Sequence, residues 1–169
     1  RGLVAGLLGM RPDDERIPDS FEIARKMSLS YSFGIANLTS AHPNSVVLEV
    51  KGKSGRTLEV QACSLGGGRI MINRLDGLDV NCSCEIPTLI VHNLDQPGHV
   101  AEVTSMLAHK SVNIANMSLY RDKRGGSAVM VVEMDQPLPK ESLQWLEHLE
   151  GIVKVTYINV TEGEEDDVL

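Results

Sequence analysis

The sequence predicts an α+β fold made of two consecutive halves, and three observations carry that prediction. Residues 88–160 change apolar period in the order strand, helix, strand, strand, helix, strand. Residues 46–75 hold three period-two runs joined by glycine-rich turns, the pattern of a mainly antiparallel sheet. Residues 1–28, ahead of them, carry helical spacing. The divisions that follow are 1–80 for the first domain, 81–87 for a link, 88–160 for the second domain and 161–169 for an acidic tail.

In chain order, residues 1–10 read as the end of a buried helix whose glycines let a neighbour pack closely. Arg1 stands inside an apolar pattern with no start signal, so further residues are expected upstream. Residues 11–18 form an acidic loop bounded by Pro12 and Pro18. Asp19, with Glu22 three residues on, has the spacing of a capping box, and Phe21, Ala24 and Met27 give a helix over 20–28 one apolar side. A strand is expected over 31–38 and a turn at His42-Pro-Asn44. Strands over 46–50, 57–63 and 69–75 follow, the first two joined by Lys51-Gly-Lys-Ser-Gly-Arg56.

In the second half, Leu89, Ile90 and Val91 form a strand that ends in Asn93-Leu-Asp-Gln-Pro-Gly98, residues that tolerate unusual backbone angles. Val100, Val103 and Leu107, beside Ala101 and Ala108, then recur at helical spacing, with Pro97 suited to the first turn. Gly98 leaves the backbone uncovered, so a small anion could reach the N–H groups of the helix start. Residues 113–119 alternate as a strand, Ile114, Asn116 and Ser118 against Ala115, Met117 and Leu119. Tyr120-Arg-Asp-Lys-Arg-Gly-Gly126 is a polar hairpin, and 128–134 is a nearly continuous apolar strand. Pro137 and Pro139 open a second helix with Leu143, Trp145, Leu146 and Leu149 as its buried stripe and Gly151 as its cap. Residues 152–160 give the last strand. This is the split βαβ order of ferredoxin-like domains.

Composition narrows the function. The 169 residues carry a net charge of −7, no basic patch larger than residues 121–124, and too few aromatics for base stacking, which argues against nucleic acid. No run reaches the length of a membrane span, and Leu3-Val-Ala-Gly-Leu-Leu8 is far too short. Three cysteines without a disulfide framework favour a reducing compartment, hence the cytoplasm. Cys82-Ser-Cys84 falls in the link, one residue closer than the usual Cys-x-x-Cys of metal sites, and no metal is expected there. Cys63 reads as core, as do Met71, Met106, Met117, Met130 and Met134, while His99 and His109 read as surface or interface residues.

Two loops of the first half hold candidate chemistry. Ser64-Leu-Gly-Gly-Gly-Arg69 joins two strands; the N–H groups of Gly66, Gly67 and Gly68, with Arg69 beside them, suit a small anion, although on pattern alone a plain hairpin is the commoner use of such a turn. His42, with Asn44 near it, is a candidate base or a turn residue.

The strand ending in Asn93-Leu-Asp-Gln-Pro-Gly98, with Val112-Asn-Ile114 one helix later, resembles an ACT domain, the small regulatory module that binds amino acids. In that family the ligand lies between two modules, touched by the turn after the first strand and by an Asn at the start of the second. The resemblance thus implies ligand contacts at Asn93, Asp95, Gly98 and Asn113. The dehydrogenase version of the family carries His-x-Asn where this chain has Asn93-Leu-Asp95. On the residues alone, Asn93 and Asp95 serve equally as turn caps, Gly98 as a close contact and Asn113 as a strand start.

Taken together, Gly6-Leu-Leu-Gly-Met-Arg-Pro-Asp-Asp-Glu-Arg-Ile17, His42-Pro-Asn44, Ser64-Leu-Gly-Gly-Gly68 and the ACT-like half resemble the beta chain of the iron–sulfur-dependent L-serine dehydratase over essentially the whole sequence. The first half is similar to the allosteric substrate-binding domain of some phosphoglycerate dehydrogenases, a domain associated with small anions. The resemblance implies a lyase that converts L-serine to pyruvate and ammonia on a [4Fe–4S] cluster. It places the cluster cysteines in a partner alpha chain, which suits a sequence with only three thiols. It further implies a homodimer through the ACT halves and a small amino-acid or carboxylate ligand. The family carries a Gly-His-Gly-Thr-Asp segment just ahead of the position where this sequence begins. Two alternatives stay open: a regulatory serine-binding region of phosphoglycerate dehydrogenase, and a free-standing amino-acid-sensing ACT protein.

Overall fold

A computed structural model describes residues 1–39 and 41–159. They divide into two units, Arg1–Thr39 and the described chain from residue 41 on. The acidic tail and Val160 lie outside the described residues.

The first unit holds α1 (Gly2–Leu7), a 3-10 turn (Ile17–Asp19) and α2 (Ser20–Lys26). Helix α1 is shorter and more exposed than its apolar pattern suggests. Only Val4 and Ala5 are buried, and no atom stands within 4 Å of where a Cβ on Gly2 or Gly6 would sit. Asp19 is at the N-cap of α2 without a capping bond. The 3-10 turn delivers it at φ −96° and ψ 5°, near-helical angles rather than the extended ones that aim a cap side chain at the helix. Glu22 instead pairs with Lys26 at 2.8 Å. The strand expected over 31–38 does not form. The alternation there has another cause: Tyr31 and Phe33 both gather on Phe21, with ring centroids 5.2 and 6.2 Å away.

The second unit opens with an antiparallel meander: β1 (Ser45–Lys51), β2 (Thr57–Gly66), β3 (Arg69–Leu75) and β4 (Leu78–Cys82), in that order across the sheet. The sequence pattern predicted the first three. The fourth follows from Asp76-Gly77, both at positive φ (46° and 83°), which closes a two-residue hairpin with Leu75 opposite Leu78. Cys82 therefore ends a strand instead of lying in a link.

The second sheet carries β5 (Thr88–Leu94), α3 (His99–His109), β6 (Ile114–Arg121), β7 (Ser127–Met134), α4 (Lys140–Glu147) and β8 (Ile152–Ile158), with strand order β6-β7-β5-β8. That is the ferredoxin-like arrangement the order of elements predicted. One face holds a core of Leu89, Val91, Val103, Leu107, Met130, Val132 and Leu146 beneath the two helices. On the other face Ile90, Val129 and Val131 pack with Ile72, Leu75 and Val80 of the first sheet. Strands β5 and β7 are thus covered on both sides, which is why they read as continuous apolar runs rather than alternations.

Details of this half depart from the pattern. A bulge at Ala115 puts Ile114 opposite Met134 and Asn116 opposite Glu133, so Ile114 and Met117 share the core face and the plain alternation breaks. The buried stripe of α3 is His99, Val103, Met106 and Leu107, leaving Val100 exposed; Pro97 precedes the helix rather than opening it. Trp145 is 45% exposed, because it stands one residue, about 100°, round from buried Leu146. Helix α4 ends at Glu147 with His148 as its C-cap, and Gly151, at φ 79°, serves the turn into β8, where a Cβ would strike the His99 ring.

Leu89→Ala, in the doubly covered strand, is expected to cost about 2–5 kcal/mol in urea unfolding. Val153→Ala, at a side chain 70% exposed, is expected to stay within about 0.5 kcal/mol.

Candidate ligand-binding site

The turn after β5 is held by two polar side chains, one bonded to the adjoining backbone and one to the β6–β7 hairpin. Asn93 is 4% exposed; its Nδ2 donates to the Leu94 carbonyl at 2.6 Å, and its Oδ1 is buried with no partner. Asp95 is committed to the β6–β7 hairpin. Its Oδ2 accepts from the Gly125 N–H at 2.8 Å and from Arg121 Nη1 at 3.2 Å, and these bonds hold its carboxyl below the usual range. Asp122 secures the same hairpin by accepting from the N–H groups of Lys123 and Ser127. Gly98 caps α3 at φ 109°, with nothing within 4 Å of an added Cβ, and its carbonyl accepts the Glu102 N–H. Backbone at the helix start is therefore approachable, as an amino-acid carboxylate requires.

Asn113 lies elsewhere. It precedes β6, its Nδ2 donates to Asp135 at 2.6 Å, and its N–H donates to Gln136 Oε1 at 2.7 Å. Strand β7 pairs Ala128 with Asn93 at one end and Met134 with Ile114 at the other. Six residues of strand, roughly 20 Å, therefore separate the two asparagines. One chain brings Asn93, Asp95 and Gly98 together and leaves Asn113 at the far end of the sheet.

The first sheet gathers the other candidates at one edge. His42 and Asn44 are exposed in a tight turn: the Asn44 N–H donates to His42 Nδ1 at 3.2 Å, and Ser45 Oγ donates to the His42 carbonyl at 2.6 Å. The Ser64 N–H donates to the Asn44 carbonyl, which sets this turn beside the glycine hairpin. There Gly66 pairs with Arg69, and Gly67 and Gly68 make a two-residue loop at φ 63° and 80°.

A second cluster was invisible in the sequence. Asp76 Oδ1 accepts the Glu59 N–H at 2.9 Å, Oδ2 accepts Lys154 Nζ, and His92 Nε2 lies 3.6 Å from Oδ2. Burial opposes the Asp76 charge, yet the Glu59 N–H and Lys154 outweigh it and hold the carboxyl low. Burial likewise lowers the His92 pKa, against the pull of Asp76. Asp76, His92, Asn93, Asp122 and Ser127 border a cleft of about 310 Å³. Arg56 adds a tie from the first sheet to the Val155 carbonyl. These partners stand far apart in the chain, so no local motif announces them.

His99, expected at the surface or an interface, is buried within the chain, because the turn to β8 folds Gly151 over its ring; Nδ1 meets Glu102 at 3.2 Å. No group of three or more His, Cys, Asp or Glu among the described residues is placed to hold a metal ion. The three cysteines do not match a four-thiolate cluster: Cys82 and Cys84 meet between the sheets, and Cys63 is outside that core. No helix of the described residues is long and apolar enough to cross a membrane.

A ferredoxin-like sheet with an open glycine turn between its first strand and helix defines the second half as an ACT domain, and the ACT domain family model matches residues 87–147. The chain as a whole belongs to the family of L-serine dehydratase beta chains. It is 32% identical over 161 residues to "L-serine dehydratase, beta chain" of Peptoniphilus asaccharolyticus, covering 95% of this chain and 72% of that protein. Identity is again 32%, over 92% of this chain and 70% of the relative, to "Probable L-serine dehydratase, beta chain" of Bacillus subtilis (strain 168). A D-3-phosphoglycerate dehydrogenase of the same organism is 24% identical over 95% of this chain and 30% of its own length.

A histidine whose folded pKa lies below its unfolded value binds a proton more readily when unfolded. Neutral His92 thus contributes stability that is complete above its ordinary value of 6.5 and is lost as pH falls from there toward the folded value. Asp76, also lowered, loses its contribution only below the ordinary carboxylate range. Urea titrations between about pH 7.5 and about pH 5.5 are expected to show a steeper loss for the wild type than for His92→Leu. Parallel slopes would remove His92 as the cause.

Proposed function

We propose that this chain is the non-cluster-bearing subunit of an L-serine ammonia-lyase, acting with an alpha chain that holds a [4Fe–4S] cluster. The observation that carries this reading is the similarity to L-serine dehydratase beta chains along 95% of the chain, through both sheets rather than the ACT half alone. The reaction removes the serine hydroxyl as water, and the aminoacrylate left behind hydrolyses to pyruvate and ammonia. Cluster chemistry belongs to the alpha chain in this reading, since the thiols here do not fit it. The His42 turn and the Gly66–Arg69 hairpin, side by side on the first sheet, are the proposed anion-facing edge. Three free thiols suit a cytoplasmic enzyme.

For the ACT half we infer a homodimer with a ligand between copies. Asn93, with its unpartnered Oδ1, and open Gly98 lie about 20 Å from Asn113, too far for one small ligand, so Asn113 of a second copy completes the site. An amino acid fits such a pair of polar ends. A detached regulatory region of phosphoglycerate dehydrogenase is the second reading, favoured by the match to that enzyme across both halves.

Co-expression with a candidate alpha chain under anaerobic conditions tests the leading reading. Pyruvate release from L-serine is expected to need both chains; full activity of the alpha chain alone would overturn the subunit role. Calorimetric titration of this chain with L-serine is expected to give heat that Asn113→Ala weakens by about tenfold or more. Heat unaffected by that substitution would contradict the shared site.

A further inference from the structure

We propose that Cys82 and Cys84 form a site of reversible oxidation, at which a peroxide joins the two sulfurs in an intramolecular disulfide. Their Sγ atoms stand 3.2 Å apart, and both residues are buried, at 1% and 6% exposure. The geometry follows from the chain. Residues two apart along an extended segment project to the same side, so the two sulfurs meet while Ser83, between them, turns away and donates to Glu133 Oε1 at 3.2 Å. Cys84 stands at φ 55° where the chain leaves β4 for β5. An S–S bond of about 2.05 Å asks the sulfurs to close by roughly 1.1 Å, a side-chain adjustment. Cys63, the remaining cysteine, lies in β2 opposite Ser45 and Met71 and outside the core that contains the pair.

Buried thiols in apolar surroundings are ordinarily inert. This pair differs because each sulfur has the other as its partner. The hydrogen bond with Cys84 favours the Cys82 thiolate, overcoming burial and the nearby Glu133 carboxylate, and Thr88 adds a smaller contribution. The same hydrogen bond, then burial, push the Cys84 thiol up. Either sulfur can donate this bond, so loss of one proton leaves a thiolate that the other thiol's hydrogen bond stabilises.

The chemistry balances. The Cys82 thiolate attacks one peroxide oxygen; the S–O bond forms, the O–O bond breaks, and the departing hydroxide takes up the thiol proton as water. The Cys84 sulfur then attacks the Cys82 sulfenic acid; the S–S bond forms, the S–O bond breaks, and the second oxygen leaves as water with the Cys84 proton. Two thiols lose two electrons and two protons, and one peroxide becomes two waters. A ring closed over only three residues gains little from chain entropy, so the bond belongs to the readily reduced class and not to structural staples.

The test is peroxide titration of the folded full chain, followed by alkylation in denaturant and peptide mass spectrometry. The expected result is loss of two of the three thiols, a mass decrease of about 2 Da on a peptide holding both Cys82 and Cys84, and full return with dithiothreitol. Cys63→Ala is expected to leave this unchanged. Cys84→Ser is expected to stop at a sulfenic or sulfinic adduct on Cys82. Three intact thiols after treatment, a bond to Cys63, or a bond between chains would each overturn the proposal; the wild-type readings decide it even where a variant does not fold.

Discussion

The rest of the second unit depends on one constraint: β5 and β7 must be covered on both faces. Leu89, Val91, Met130 and Val132 point to the helices, while Ile90, Val129 and Val131 point to the first sheet. Either face left bare would return several full apolar side chains to water, at about 1.5–3 kcal/mol each. The first sheet is accordingly the second cover of the ACT sheet, not a separate body beside it. The polar ties of Asp76 to Lys154 and of Arg56 to the Val155 carbonyl lie around this apolar seam and fix its register.

How much of this could be read from residues depends on distance along the chain. The βαββαβ half was legible because its periods are strong and its turns use residues chosen for unusual backbone angles, as at Gly98. Strand β4 was missed although Asp76-Gly77 between Leu75 and Leu78 is a standard hairpin signal and Leu78, Val80 and Cys82 alternate with polar Asp79 and Asn81; the run is only five residues long and ends at the Cys82-Ser-Cys84 segment read as a link. The strand expected over 31–38 mistook an aromatic cluster for a sheet, since stacking on Phe21 and pairing in a ladder can produce the same spacing. The Asp76–His92–Lys154 cluster had no local trace at all. His92 and Asp76 are brought together by packing of one sheet on another.

The candidate site divides in the same way. The resemblance to an ACT domain named Asn93, Asp95, Gly98 and Asn113, and the structure adds how they are placed within one chain: three share one corner and the fourth lies beyond a whole strand. It also shows which are already engaged. Asp95 holds the β6–β7 hairpin, whereas Asn93 keeps an unpaired buried oxygen, so the two polar residues of the turn are not equivalent.

Native-state hydrogen exchange measures the seam directly. If the doubly covered sheet is the common foundation, amides of β3 and β4 will open together with those of β5 and β7 in the slowest class. Exchange of β3 and β4 through a separate, much lower-energy opening, with β5 and β7 still protected, would show that the two sheets stand alone and would contradict the account.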